Sequence, residues 1–278
     1  MKTIRHTTKP FNKIAVATAM VLLGTGALRA GSIDVPNFSF ESQSGVGQPF
    51  GVNVLIDSWQ KPPNPGIPEG GTNNFYWIQS AGAFVGTSPN SANPYSNLVG
   101  TQGAYVLSIP GAGLFQDNLS TDWSGSTNGL NATYHVGSAY QLTLGIFGKG
   151  MVENYSSLQL SLYYRDGPNM VTVGSPTTIT FSTATFNPAG PFTLIDYSVE
   201  LPAVQASDAW AGKNIGIRID SVLGTGDGYW DMDNVRLVST VPEPGSLSLA
   251  ALGLGGLAFM LRRSNRQAPT KTGLGSTS

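Results

Sequence analysis

The chain has no cysteine. That excludes disulfide staples and thiolate metal sites, so its stability must come from a packed core or a bound ion. Histidine is almost as scarce, with only His6 and His135. His6 sits in a basic amino-terminal stretch, which leaves one imidazole for everything downstream. A Ser-His-Asp triad would have to use His135, and no nucleophile-elbow pattern accompanies it. One imidazole without thiols also excludes the usual zinc-hydrolase ligand sets. Asp231 and Asp233 lie two apart on an expected strand. They therefore share a face and stand too close for an ordinary acid–nucleophile pair across a glycosidic bond. Glu153 and Asp166 fall in or near turns. The sequence is expected to be non-catalytic.

Basic residues are also few where they would matter for nucleic acid. Of 15 Lys and Arg, five lie in residues 1–30 and four in 262–278. Six remain between, against fifteen acids from Asp34 to Asp233, a formal charge of −9. Such a surface disfavours nucleic acid and anionic polymers and suits neutral polymers or cations.

No segment of this middle region shows a convincing amphipathic helical period. Thirty-five glycines and 18 prolines punctuate short alternating runs instead. Tyr140, Leu142, Leu144 and Ile146 share one face of a strand, and Leu158, Leu160, Leu162 and Tyr164 share a face of another. Arg165-Asp166-Gly167-Pro168 marks the turn after it. Further strands are expected at 33–41, 52–59, 75–79, 105–109, 113–117, 171–173, 178–186, 193–201, 215–219 and 229–238, with one helical turn at 207–213. Roughly a dozen strands with Gly/Pro turns give an all-β fold, a jelly-roll-type β-sandwich whose first and last strands lie close together.

Both ends differ from the middle. Lys2, Arg5, Lys9 and Lys13 precede an apolar run from Ile14 to Leu28, the layout of a signal peptide over 1–30. The expected cut follows Ala30, with Ala27 as the alternative. At the other end, Gly245–Leu261 carries only Ser246 and Ser248 as polar side chains. As a helix these residues span ~25 Å, at the short end of what crosses a bilayer. Arg262, Arg263 and Arg266 follow and stay cytoplasmic by the positive-inside rule. The organisation is thus a signal peptide (1–30), one exported domain (31–240), a terminal segment (241–266) with a transmembrane helix at 245–261, and a cytoplasmic tail (267–278).

Pro242-Glu243-Pro244, the apolar run and the Arg262-Arg263 pair together resemble the PEP-CTERM sorting tail. That resemblance implies an exported protein of a Gram-negative bacterium, anchored in the inner membrane as a precursor. An exosortase then cuts it and passes it to the cell surface or extracellular matrix. Such proteins go with exopolysaccharide and biofilm loci. The two prolines hold the segment extended and accessible to a protease.

A second resemblance lies in the middle region. Asn37-Phe38-Ser39-Phe40-Glu41 looks like the opening motif of carbohydrate-binding-module-like jelly rolls. Tyr229-Trp230-Asp231-Met232-Asp233-Asn234-Val235-Arg236-Leu237 looks like their closing strand, and Gly113–Asp117 is similar to a third strand motif. The resemblance implies a structural Ca²⁺ held by Glu41 and Asp233. Strict alternation also puts Asp233 on the face of Val235 and Leu237, where an inward carboxylate needs a metal or a partner such as Arg236 or Arg218, unless it caps a turn. For stacking on a sugar, Tyr76, Trp77 and Trp123 are the candidate rings, with Trp123 expected to be the most exposed and Trp230 to be core. The function expected is a surface or biofilm-matrix protein associated with a neutral exopolysaccharide. The alternatives are a purely structural matrix protein and, more distantly, a polysaccharide-active hydrolase or lyase.

Overall fold

The computed structural model describes residues 28–43, 52–53, 55–66, 77–85, 95–150, 155–186, 192–224 and 228–242. The chain divides into two compact units, Ala30–Thr240 and Met1–Arg29 with Val241–Ser278. Almost all of the second unit lies outside the described residues, including the expected signal peptide before Leu28, Glu243, Pro244, the apolar run 245–261, Arg262 and Arg263.

The described residues form eleven strands: β1 (Leu28–Ile33), β2 (Val52–Asn53), β3 (Ala81–Val85), β4 (Gln102–Leu107), β5 (Gly113–Gln116), β6 (Ala139–Gly150), β7 (Ser157–Asp166), β8 (Asn169–Thr180), β9 (Ile195–Leu201), β10 (Gly216–Leu223) and β11 (Gly228–Pro242). A seven-stranded sheet runs β2-β3-β4-β11-β6-β9, with β1 also on β11. A four-stranded sheet runs β5-β10-β7-β8. Two sheets and almost no helix among the described residues make this a jelly-roll β-sandwich. Of the two expected signal-peptide cut points, the bond after Ala30 falls inside β1 and the bond after Ala27 just precedes it.

The alternation read from the sequence is what builds the core. Leu142, Leu144 and Ile146 of β6 face Leu158, Leu160 and Leu162 of β7 and Ile217 and Ile219 of β10, all fully buried. β7 and β8 form the hairpin expected at Asp166-Gly167, where Gly167 takes the positive φ of the turn. The run 171–173 and the first three residues of 178–186 fuse into one long β8, because a register shift opposite Leu160/Leu162 absorbs the break, while 181–186 is turn and irregular chain rather than strand. Other expected elements dissolve. Asp34–Glu41 is not a strand, since Pro36 fixes φ and Asn37 and Phe40 adopt positive φ. Only Val52–Asn53 survives of the run to Trp59. Trp77–Gln79 is a single 3₁₀ turn, and 207–213 is a chain of turns.

The decisive departure is in β11. Its register against β6 is regular from Gly228 to Asp233, then shifts before Arg236. Asn234 sits in that bulge at φ 60°. The extra residue reverses which side chains face inward. Trp230 and Met232 point into the core before the bulge, and Val235 and Leu237 after it. Asp233 therefore lies with Tyr229 and Asp231 on the opposite, outer face, not with Val235 and Leu237 as strict alternation requires. Asn234→Gly should leave stability nearly unchanged in a chemical-denaturation titration. Asn234→Val should cost about 1–3 kcal/mol, because a β-branched residue resists the left-handed region.

Candidate functional site

Although on the outer face, Asp231 and Asp233 are fully buried. The segment Tyr95–Gln102 covers them. The Val99 amide donates to Asp233 Oδ2 at 2.6 Å, and the Asn234 amide to Asp233 Oδ1 at 2.6 Å. From the other side, Glu41 Oε1 accepts from the amides of Thr101 (2.8 Å) and Gln102 (2.7 Å), and Oε2 from the Thr101 hydroxyl (3.2 Å). Gly100 lies between at φ +86°, and a Cβ there would meet Glu41 Oε1 at 2.4 Å. The two carboxylates from the ends of the domain thus clamp one loop.

They also repel. Burial pushes the Asp233 carboxyl up to about 7, the amides of Val99 and Asn234 pull it down, and the charge of Glu41 pushes it up again. Neither arginine offered as a partner reaches it: Arg236 pairs with Asp196 (2.5 Å) and Arg218 with Asp220 (2.6 Å). Two hard oxygen donors with mutual repulsion fit a divalent cation such as Ca²⁺. Among the described residues no third carboxylate or imidazole joins them, so further ligands would be carbonyls or water. Glu41 also lines an open groove of about 560 Å³ that includes Asp34, Asn37, Ser42 and Asn128.

A second polar cluster lies on the same outer face. The Tyr95 hydroxyl donates to Asp231 Oδ2 at 2.5 Å. Lys149 Nζ stands 3.3 Å from the Phe192 ring centroid and 5.6 Å from that of Tyr95. Desolvation holds the Lys149 ammonium below its ordinary pKa, while the charge of Asp231 pulls the other way. Burial, and then Asp231, raise the Tyr105 hydroxyl, which donates to Gln79 O at 3.1 Å. The sequence pointed to Asp231 but not to Tyr95, which belongs to none of the expected strands. No local pattern announces a contact across 136 residues.

The aromatic candidates separate cleanly. Trp123 is 60 % exposed, with its amide fixed by Asp57 Oδ1 at 2.9 Å. Trp77 is 6 % exposed and belongs to the core. Its ring has no free face for a sugar, which removes it as a stacking residue. Tyr76 lies outside the described residues. Trp230 is fully buried, packed edge-on to Phe181 and Phe186. His135 is exposed, 3.2 Å from the Thr133 hydroxyl, with no carboxylate against it among the described residues.

The comparisons with known proteins bear on both ends of this picture. The model of the PEP-CTERM protein-sorting motif matches residues 240–264. The chain carries a PEP-CTERM sorting motif. The motif implies an exported, membrane-anchored precursor with an exosortase as its processing partner. No helix among the described residues is long and apolar enough to cross a membrane, and the apolar run of the motif lies outside them. No curated protein matches the chain. Among solved structures, a cyclase from Fischerella sp. TAU is 22 % identical at TM-score 0.53, covering 76 % of this chain and 98 % of its own. The Stig cyclase Fisc from the same source, in complex with a pyrrolidinylidene-indole, gives 22 % and 0.52 with the same coverage. These likenesses concern the fold. The CBM22-1 xylan-binding domain of Paenibacillus barcinonensis Xyn10C, a carbohydrate-binding module, is 10 % identical at TM-score 0.37, covering 76 % of this chain and 96 % of its own.

The placement of the tryptophans has a direct check. Trp77→Ala should cost about 3–5 kcal/mol by denaturant titration, whereas Trp123→Ala should stay within about 0.5 kcal/mol of the parent. Equal costs would contradict the burial described.

Proposed function

We propose that the chain is a non-catalytic cell-surface or biofilm-matrix protein, released from the inner membrane by an exosortase, whose jelly roll associates with a neutral exopolysaccharide. The observation that carries this reading is the sorting motif at 240–264, which begins in the last residues of β11. An acidic domain suits an uncharged polymer better than an anionic one. Trp123 is an exposed ring available for stacking, with Tyr76 the second candidate. A purely structural role, with no glycan bound, is the rival, and a glycan array of the purified protein separates the two. A catalytic role is the more distant reading. What favours it is the buried Asp231–Tyr95 pair beside Lys149, and reducing-sugar release from the host's own exopolysaccharide tests it.

Sorting rests on Pro242, Glu243 and Pro244 with the basic pair Arg262 and Arg263. In a host with an exosortase, Glu243→Ala should leave full-length precursor in the inner membrane. A mutant that reaches the surface at parental mobility would contradict the sorting role.

Calcium belongs to the same reading. Glu41 and Asp233 would hold the ion, and it would relieve their repulsion and tie the start of the domain to its last strand. A site filled to 100 times its dissociation constant adds about 2.7 kcal/mol to the folded state. Chelator should therefore lower the melting temperature by several degrees and added Ca²⁺ should restore it. Asp233→Asn, which keeps the shape, should abolish that response. A melting curve indifferent to chelator, in protein shown by mass measurement to carry no metal, would contradict the assignment.

A further inference from the structure

On the outer face of the small sheet, far from either carboxylate clamp in the strand order, lies a groove of about 310 Å³. That is the small end of the ~300–1,000 Å³ range of ligand clefts. Its lining includes Gln159, Ser161, Thr172, Arg218, Asp220 and Ser221. The period-two rule places all of these but Ser221 there together; Ser221 shares the inward side of β10 with Ile219 and meets the groove only at its floor. Ile217 and Ile219 of β10 face the core, so Arg218 and Asp220 face out, opposite Ser161 and Gln159 of β7.

Arg218 is held along one edge. Its Nε lies 2.6 Å from Asp220 Oδ2, an ion-pair contact made without hydrogen-bond geometry. The two terminal nitrogens, with their four donors, have no acceptor among the described residues, and the side chain is 34 % exposed. The result is a guanidinium anchored beside Asp220 by charge, with its fork open. Asp220 is itself buried, and burial pushes its carboxyl pKa up while Arg218 opposes that shift. Its Oδ1 and the Ser221 hydroxyl, both at the floor, lack hydrogen-bond partners among the described residues. Native proteins rarely leave such groups unpaired without a reason. β5 makes room for the carboxylate with Gly113, where a Cβ would meet Asp220 Oδ1 at 2.9 Å and the Ile219 carbonyl at 2.4 Å. At the rim, the Gln159 amide nitrogen reaches Thr178 at 3.4 Å, which leaves its carbonyl oxygen as an acceptor. Thr172 adds a hydroxyl that both donates and accepts.

We infer that this groove is a binding site for the adjacent hydroxyl groups of a neutral saccharide, read by the open fork of Arg218 and the rim groups Gln159 and Thr172. This rests on the glycan-associated reading above and gives that reading an address distinct from the exposed tryptophan. The chemistry decides the ligand class. A guanidinium fork matches two oxygens side by side, as in a carboxylate or a vicinal diol. Here Asp220 already cancels the charge, and the other groups mix donors with acceptors, which suits hydroxyls that do both. A carboxylate would meet Asp220 as a like charge.

The test is calorimetric titration of the purified full-length protein with cellohexaose, xylohexaose and mannohexaose, and with hexagalacturonate as the charged comparator. At least one neutral hexasaccharide should bind, and hexagalacturonate should bind more weakly. Arg218→Lys keeps the ion pair but removes the fork. It should weaken binding by about tenfold or more, the loss of one charge-assisted contact, with the melting temperature unchanged. Gln159→Ala should weaken binding in the same direction. If binding survives Arg218→Lys but is lost in Trp123→Ala, the groove is overturned while the glycan reading stands. If hexagalacturonate is the tighter ligand, the neutral-sugar assignment is overturned. If no hexasaccharide binds the parent, the glycan reading falls and the groove with it.

Discussion

The structure depends on one strand serving two sides at once. β11 is hydrogen-bonded to β4 and to β6 over Tyr229–Met232, so it sits at the centre of the larger sheet. Its inner side chains, Trp230 and Met232 and then Val235 and Leu237, are among the most buried in the molecule. Its outer side chains are carboxylates under a loop. The bulge at Asn234 is what makes both possible within a single strand. Without it, Asp233, Val235 and Leu237 would share one face, so either Asp233 would enter the apolar core or Val235 and Leu237 would leave it.

The outer carboxylates then do structural work that a hydrophobic face would not. Asp231 fixes Tyr95, Asp233 fixes Val99, and Glu41 fixes Thr101 and Gln102. One segment, Tyr95–Gln102, is thus held by three acidic side chains from two distant parts of the sequence. Burying that much negative charge is costly unless it is neutralised or bonded. Lys149 lies against the same cluster beneath Phe192, and a cation between Glu41 and Asp233 would serve the other end. The smaller sheet solves the same problem differently. Asp117 there accepts from the Tyr163 hydroxyl (2.5 Å) and Arg165 Nε (2.6 Å), a closed network. The Arg218–Asp220 pair stays open to a groove.

Much of this was legible in the sequence where one face of a strand is apolar and the other is not. Tyr140–Ile146, Leu158–Tyr164 and Ile215–Ile219 read correctly because burial on one face leaves a period of two. The opening stretch misled because Phe38 and Phe40 alternate like a strand, although the backbone at Asn37 and Phe40 turns to positive φ. Asp233 misled for a related reason: a bulge is one residue of backbone, and the alternation rule has no term for it. Trp77 and Trp123 are chemically alike, and only the surrounding packing distinguishes the buried ring from the exposed one. The open fork of Arg218 had no signal at all. Its partner stands two residues away, and an Arg-x-Asp pair on a strand is common enough to pass unnoticed. The sorting motif, by contrast, is written in consecutive residues and needed no fold to be read.

The claim that β11 organises the domain is most directly tested by native-state amide hydrogen exchange. The amides of β11 from Trp230 to Asp233, and those of β6 opposite them, should exchange only through global unfolding, and so should share the highest protection in the domain. The Tyr95–Gln102 segment should be more protected than the other loops, since the buried Asp233 holds its Val99 amide and Glu41 its Thr101 and Gln102 amides. Exchange of Trp230–Asp233 at the rate of the edge strand β2, or of an amide in the exposed loop around Trp123, would contradict the account.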